Sequence, residues 1–143
     1  MAEPLLSVRD LTIDIPIGAE TLHAVRGFDF DVGHGEVLSI IGESGSGKSL
    51  TAQAVMGLLD RNMQVRAGRM CFDGIDLLRA SRRTMRRLRG GRISMIFQEP
   101  MTSLNPAYTI GDQLCEALRL HRKISRSKAR ARAVEVLGNV GIM

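Results

Sequence analysis

The sequence contains no tryptophan, few aromatic residues and no long apolar run. Aromatic residues make up only 3% of its 143 positions. A helix that spans a bilayer needs roughly 20 predominantly apolar residues in succession, and no stretch approaches that length. The first four residues, Met-Ala-Glu-Pro, lack the basic and apolar regions of a secretory signal. We therefore expect a protein of the cytoplasm without a membrane-spanning helix.

Cysteine is also scarce. Cys71 and Cys115 are far apart and belong to no CxxC or Cys/His spacing, although such spacings mark most metal sites and redox pairs. In a reducing compartment, isolated cysteines act as small apolar side chains. We interpret both as buried apolar residues rather than as redox or metal-binding groups.

Acidic residues are outnumbered by basic ones, which gives a formal net charge of +5. The excess lies mainly in two stretches, residues 79–92 and 119–132. A nucleic-acid partner must be considered for such a chain. However, neither stretch interleaves aromatic residues with its arginines and lysines, as single-strand binding platforms do. Both stretches are typical of solvated helix faces, so we expect no nucleic-acid partner.

The length fits one domain, and no repeat or linker divides the chain. Residues 5–32 predict an antiparallel pair of strands around a turn at Gly18-Ala19-Glu20, because apolar and polar residues alternate there. The alternating apolar residues are Leu11, Ile13 and Ile15 in the first strand and Phe28, Phe30 and Val32 in the second.

Two apolar runs, residues 37–41 and 93–97, predict parallel strands, the first of them central and covered on both faces. Residues 70–72 predict a shorter strand that ends in a tight turn at Asp73-Gly74. The helix after residue 48 is predicted from an apolar stripe of Ala52, Val55, Met56 and Leu59.

The second half predicts three helices and a proline-containing loop at residues 98–106. Ser81 is the expected N-cap of the first helix and Gly90 its end, with the surrounding arginines complementing the helix dipole. The other two helices are predicted from apolar stripes, and Gly141 is expected to end the last one. The stripes are Ile110, Leu114, Ala117 and Leu118, then Ala129, Ala133, Val136, Leu137 and Val140.

A glycine-rich loop between the apolar run 37–41 and the next helix matches G-x-x-x-x-G-K-[ST] in full. Its glycines let successive backbone N–H groups point into one concavity, at the positive end of the helix, where phosphate oxygens bind. Lys48 is expected to reach the β- and γ-phosphates, and the Ser49 hydroxyl to ligate Mg²⁺. Kinases, GTPases, transport ATPases and helicases share this motif, so it does not define the reaction. The loop consists of Gly42, Glu43, Ser44, Gly45, Ser46, Gly47, Lys48 and Ser49.

Three segments together resemble the ATP-binding subunit of ABC transporters, in particular those of oligopeptide, dipeptide and nickel importers. They are Gly35-Glu36, the loop GESGSGKS, and the run IFQEPMTSLNP at residues 96–106. The resemblance covers nearly the whole chain in order. It implies an α/β fold: a P-loop NTPase core with an N-terminal antiparallel β subdomain and the start of a helical subdomain, truncated relative to the family. The corresponding boundaries are residues 5–35, 36–98 and 99–143.

The resemblance also implies a function and partners. It identifies Gln98 as the Q-loop glutamine, which in the family contacts Mg²⁺ and the attacking water. ATP and Mg²⁺ are the implied cofactors, with Ser49 and Gln98 as protein ligands of the metal. The implied activity is ATP hydrolysis that energises import of peptides or a related solute such as nickel. The implied partners are permease subunits, contacted through the Q-loop and helical region, and a second ATP-binding subunit. The implied location is the cytoplasmic face of the inner membrane, as a peripheral protein.

The chain departs from the family pattern in two respects. Ile15 aligns with the aromatic residue that stacks on adenine, and isoleucine has no π face. The family's LSGGQ-type signature, Walker B aspartate, catalytic glutamate and switch histidine do not occur in these 143 residues. His34, Glu99 and His121 lie outside suitable motifs, so the catalytic set is incomplete. Two alternatives stay open: a non-catalytic nucleotide-binding fragment, and a soluble P-loop phosphotransferase. The second predicts a glycine loop very near the N-terminus, whereas this loop begins at Gly42.

We predict that the 143-residue chain does not turn over ATP. The loop supplies a phosphate cradle and one Mg²⁺ ligand, but no Asp-Glu pair follows an apolar strand to orient metal and water. Loss of such groups removes several powers of ten in rate, at about 1.36 kcal/mol for each tenfold. Phosphate release should be compared with that of a longer chain that carries the downstream motifs. Comparable turnover by the short chain that is lost in Lys48→Ala would contradict the prediction.

Overall fold

A computed structural model describes residues 3–98 and 104–142. These divide into two compact units, with the boundary between Arg86 and Arg87. The first unit is built on an antiparallel sheet, and the second contains helices. This architecture agrees with the fold class expected from the sequence, an α/β protein with an N-terminal antiparallel β region.

The first unit begins with a long hairpin of β1 (Leu6–Ile17) and β2 (Glu20–Val32). The two strands are antiparallel, as the alternation predicts, and their last pair is Ile17 with Glu20. The connecting turn is therefore the two residues Gly18 and Ala19. Glu20, which the sequence analysis assigns to the turn, is instead the first residue of β2.

Three short strands extend this hairpin: β3 (Gln64–Arg66), β4 (Arg69–Phe72) and β5 (Ile75–Asp76). The strand order is β2-β1-β4-β5, and β3 also pairs with β1. The tight turn expected at Asp73-Gly74 separates β4 from β5, with positive φ at both residues. β3 was not predicted, because three residues are too few to show a period.

The core of the first unit lies on this sheet. Its fully buried side chains are Val8, Leu11, Ile13 and Met70, three of which are on β1. The helix α1 (Lys48–Met56) makes contacts with β2. β1 is therefore both the central strand of the sheet and the main contributor to its core.

The helix α1 is shorter than predicted. It ends at Met56, where Gly57 adopts a left-handed conformation and donates its N–H to the Ala54 carbonyl. Leu59 therefore lies beyond the helix. The predicted apolar stripe of this helix is also wrong at Ala52, because that residue is exposed. The side chains that α1 buries are Thr51, Ala54, Val55 and Met56.

Neither predicted parallel strand forms. Residues 37–41 and 94–97 are not assigned to any strand within the described ranges, and Ile93 makes only an isolated bridge with Arg89. Val37, Ile41 and Ile96 are 91%, 95% and 94% exposed. Their composition suits a strand covered on both faces. Such a strand also needs neighbouring strands that pair with its backbone N–H and C=O groups. The described part of the chain does not supply such strands here.

The helix α2 (Arg82–Leu88) begins at the predicted cap. The Ser81 hydroxyl accepts a hydrogen bond from the Thr84 N–H at 3.1 Å, and Met85 and Leu88 are buried. The arginines around α2 were expected to lie where the helix dipole favours positive charge, and this expectation is wrong in part. Arg82 and Arg83 occupy the first turn, where the dipole disfavours a positive charge.

The second unit contains α3 (Ile110–His121) and α4 (Arg126–Asn139), whereas α2 spans the boundary between the units. Thr109 and Ser125 cap them by accepting hydrogen bonds from backbone N–H groups, and the sequence analysis did not identify either cap. The predicted apolar stripes are only partly buried. α4 buries Ala129 and Ala133, whereas Val140 follows the helix and is 68% exposed. None of the helices in the described ranges has the length and hydropathy needed to cross a bilayer.

A buried carboxylate connects three strands of the first unit. Asp14 on β1 is 3% exposed and bonds to His23 Nδ1 on β2 at 2.7 Å and to the guanidinium of Arg66 on β3. The hydrogen bond with His23 lowers the pKa of Asp14 below its ordinary value, and the charge of Arg66 adds to this, against the opposing effect of burial. The charged carboxylate therefore stabilises the folded sheet.

We predict that Asp14→Asn destabilises the chain in a pH-dependent manner. Because the folded-state pKa is lowered, the carboxylate contributes its full stabilisation above the unfolded-state pKa of about 3.9, and this is lost as pH falls through the folded-state value. Urea unfolding should therefore show a larger difference between wild type and variant at about pH 6 than at about pH 3. Asp60→Asn, at an exposed carboxylate, is the control. An equal difference at both pH values would contradict this assignment.

Candidate functional site

The glycine-rich loop connects the extended segment 37–41 to α1. Ser46 donates its N–H to the Glu43 carbonyl at 3.2 Å, which closes a turn inside the loop. α1 begins at Lys48, its N-cap Gly47 provides no side-chain hydrogen bond, and its first turn has no acidic residue. The first N–H groups of a helix have no intrahelical partner. They are therefore available to an anion at this end of α1.

Gly47 holds the loop close to β2. Its φ is +86°, and a Cβ at this position would lie 2.7 Å from Val25 Cγ2 and 2.8 Å from the Ala24 carbonyl oxygen. Both separations are well below van der Waals contact. Only glycine accommodates this backbone conformation and this approach together. The sequence analysis assigns the glycines of the motif to the curvature of the loop. Gly47 has a second role, because it also fixes the loop against the sheet.

Lys48 bends back over the loop that precedes it. Its ammonium group donates to the carbonyl oxygens of Gly42 and Glu43, each at 2.7 Å, and to Ser46 Oγ at 3.2 Å. These contacts place one positive charge at the mouth of the loop. An ammonium group held in this way can contact a phosphate oxygen by exchanging its longest hydrogen bond, the one to Ser46.

A pocket of about 250 Å³ lies between this loop and β2. One side is apolar and the other carries the hydroxyl and ammonium groups of the loop and α1. Its volume suits part of a small molecule rather than a large ligand. The lining residues are Ala24, Val25, Arg26, Phe28, Ile40, Ile41, Ser46, Lys48 and Thr51. Ala24 and Val25 were not predicted as site residues, because nothing but strand alternation distinguishes them in the sequence.

The residues expected to hold Mg²⁺ provide suitable oxygen atoms. The Ser49 side chain is exposed directly after Lys48, and its hydroxyl makes no hydrogen bond to the part of the chain that the structure describes. Hydroxyl and amide oxygens, together with phosphate oxygens, are ligands that Mg²⁺ accepts. No cluster of three or more His, Cys, Asp or Glu side chains within residues 3–98 and 104–142 could hold a metal by itself. A metal at this loop would therefore depend on phosphate oxygens.

Gln98 and Ile15 are the remaining predicted site residues. Gln98 belongs to the second compact unit, where it is exposed. Glu99 and most of the predicted Q-loop lie outside the described residues. Ile15 is half-buried on β1, opposite Leu22 of β2, and is absent from the lining of the pocket beside Lys48.

Comparison with known proteins identifies the family. A family model described as "ABC transporter" matches residues 25–143. The dipeptide transport ATP-binding protein DppD of Bacillus subtilis is 49% identical over 98% of this chain and 42% of its own length. The oligopeptide transport ATP-binding protein OppD of the same organism is 47% identical over 96% of this chain and 39% of its own length. The chain belongs to the ABC transporter family, and its resemblance to peptide-importer ATP-binding subunits is confirmed.

A solved structure supports the fold. The structure, described as a dimeric, post-hydrolysis state of the ATP-binding cassette MJ0796 bound to ADP and Pi, matches with a TM-score of 0.73. The match covers 93% of this chain and 56% of that chain, at 23% sequence identity. The expected fold class, that of a P-loop NTPase region, is therefore confirmed. The chain spans less than half the length of the two curated relatives named above.

We predict that Gly47→Ala destabilises the chain more than Gly45→Ala. Both positions have positive φ, so both variants carry a left-handed strain of roughly 1 to 2 kcal/mol. A Cβ at Gly45 meets nothing within 4 Å, whereas one at Gly47 meets Val25 and Ala24. The additional overlap should cost about 1 to 3 kcal/mol, measured as a difference in urea midpoints. Equal midpoints for the two variants would mean that the loop does not pack on β2 as described.

Proposed function

We propose that this chain binds Mg²⁺-ATP at residues 42–49 and forms the nucleotide-binding part of an ATPase that powers solute import. The observation that carries this proposal is the placement of Lys48. Its ammonium group is held at the mouth of the loop by two carbonyl oxygens, beside the uncapped N-terminus of α1. A fixed cation and a row of unpaired N–H groups are complementary to a polyphosphate.

Different groups of the site would contact different parts of the nucleotide. The loop amides from Gly42 to Gly47 would surround the phosphates, and Lys48 would contact the outer phosphate oxygens. Ser49 would contribute one oxygen ligand to Mg²⁺, and the metal would supply positive charge that offsets the charge of the phosphates. The apolar wall that includes Val25 and Phe28 borders the loop and would contact an uncharged part of the nucleotide.

Gln98 is proposed as a second contact to the metal and to the attacking water. Its amide oxygen can accept a hydrogen bond from water or ligate a cation. The side chain is exposed and therefore accessible to water and ligand. This role rests on the family motif and on the chemistry of the amide.

The transported solute and the assembly are also proposed from the relatives. DppD and OppD are ATP-binding proteins of dipeptide and oligopeptide transport, which favours a peptide. A related solute such as nickel is proposed from the sequence resemblance alone. We propose that the complete subunit pairs with a second ATP-binding subunit and contacts permease subunits through the Q-loop and residues 99–143. Such a subunit would be peripheral, on the cytoplasmic face of the membrane.

We predict that Lys48→Ala weakens Mg²⁺-ATP binding by about tenfold to a hundredfold, because a hydrogen bond to a charged group contributes about 1.5 to 3 kcal/mol. Isothermal titration calorimetry on the 143-residue chain measures this directly. Lys128→Ala, which removes the same charge from an exposed position on α4, should bind as wild type does. Equal affinity in Lys48→Ala and wild type would reject the proposed phosphate site.

A further inference from the structure

The helix α2 carries a cluster of four arginines on its exposed face. They occupy positions i, i+1, i+4 and i+5 and therefore lie on one side of the helix, while Met85 and Leu88 are buried. The α2 arginine cluster consists of Arg82, Arg83, Arg86 and Arg87. It concentrates positive charge within two turns of a single helix.

These four guanidinium groups have no acidic partner in the described part of the chain. Arg9, Arg66 and Arg69 form ion pairs with nearby carboxylates. Within residues 3–98 and 104–142, no ion pair or hydrogen bond engages the side chains of the α2 arginine cluster. Their charge is therefore not neutralised inside the described part of the molecule.

The arrangement is unfavourable for the helix itself. Arg82 and Arg83 lie at the positive end of the helix dipole, and no acidic residue compensates them in the first turn. Like charges four residues apart also repel, as in the pair Arg82 and Arg86. Violations of local helix preferences are expected where a surface serves an interaction. An anionic partner would relieve both effects.

The neighbourhood of the cluster favours a lipid surface over a nucleic acid. Leu78, just before α2, is 43% exposed, and an exposed apolar residue beside basic residues suits a membrane interface. No aromatic residue lies between residues 73 and 96 to stack on bases. We propose that the α2 arginine cluster binds the headgroups of anionic phospholipids. This binding is independent of the phosphate loop.

The expected strength follows from the number of charges. An arginine near an anionic membrane surface strengthens binding by about fivefold. Removing all four should therefore weaken vesicle binding by roughly two orders of magnitude or more. Because the attraction is electrostatic, it should also decline as salt is raised.

The test is sedimentation of the 143-residue chain with vesicles of phosphatidylcholine that contain about 30% phosphatidylglycerol, at about 0.1 M salt. The test variant replaces the cluster with glutamine: R82Q, R83Q, R86Q and R87Q. The matched control removes the same charge elsewhere: R119Q, R122Q, K123Q and R130Q. We expect the test variant to lose binding at least tenfold more than the control. Equal losses, or no binding by wild type, would overturn the proposal.

Three further measurements distinguish lipid binding by the α2 arginine cluster from other causes of a loss of vesicle binding. Circular dichroism should show the same helical content in both glutamine variants, and replacement of the cluster by four lysines should retain vesicle binding. A loss of binding with lysine would point instead to a discrete anion held by paired guanidinium N–H groups. Inorganic phosphate at constant ionic strength should not displace the vesicles. Displacement by phosphate, or tighter cluster-dependent binding to duplex DNA than to vesicles, would reject the lipid assignment.

Discussion

The close approach of Gly47 to β2 is the constraint on which the site depends. It fixes the position of the first residue of α1 relative to the sheet. The positions of the helix N-terminus and of the Lys48 ammonium group are thereby fixed as well. The sheet side of this contact is the backbone of Ala24 and the side chain of Val25. Val25 is paired with Ile13 of β1, and Ala24 lies at the register shift beside that pair. The position of the glycine-rich loop is thereby determined by a β-hairpin that contributes no motif residue of its own.

The same strand organises the rest of the first unit. β1 pairs with β2 along one edge and with β3 and β4 along the other, and it supplies most of the fully buried side chains. Asp14 adds a polar connection among three strands at a point where a carboxylate is otherwise costly to bury. A single strand therefore links the hydrophobic core, the buried Asp14 carboxylate and the support of the loop.

Sequence reasoning succeeded where the determinants are local. The β1–β2 hairpin, the Asp73-Gly74 turn, the Ser81 cap and the start of a helix after the glycine-rich loop each depend on neighbours in the chain. It failed at residues 37–41 and 94–97, because an apolar run specifies burial but cannot specify which strand will pair with it. It also missed Val25 as a wall of the site, since the approach of Gly47 is a tertiary contact. The roles assigned to Gln98 and Ile15 stay predictions.

The topology of β1 has a consequence for how the loop becomes ordered during folding. Residues 18–63, which include the whole phosphate loop and α1, lie in the chain between β1 and its partner β3. Pairing of β1 with β3 and β4 closes a long segment, and such closure is entropically costly and slow compared with hairpin formation. The hairpin can form early, but both ends of the segment that carries the loop become anchored only at that later step. Amide hydrogens of β1 would accordingly exchange with solvent among the last in the first unit, and an intermediate with only the hairpin formed would lack a fixed anion site.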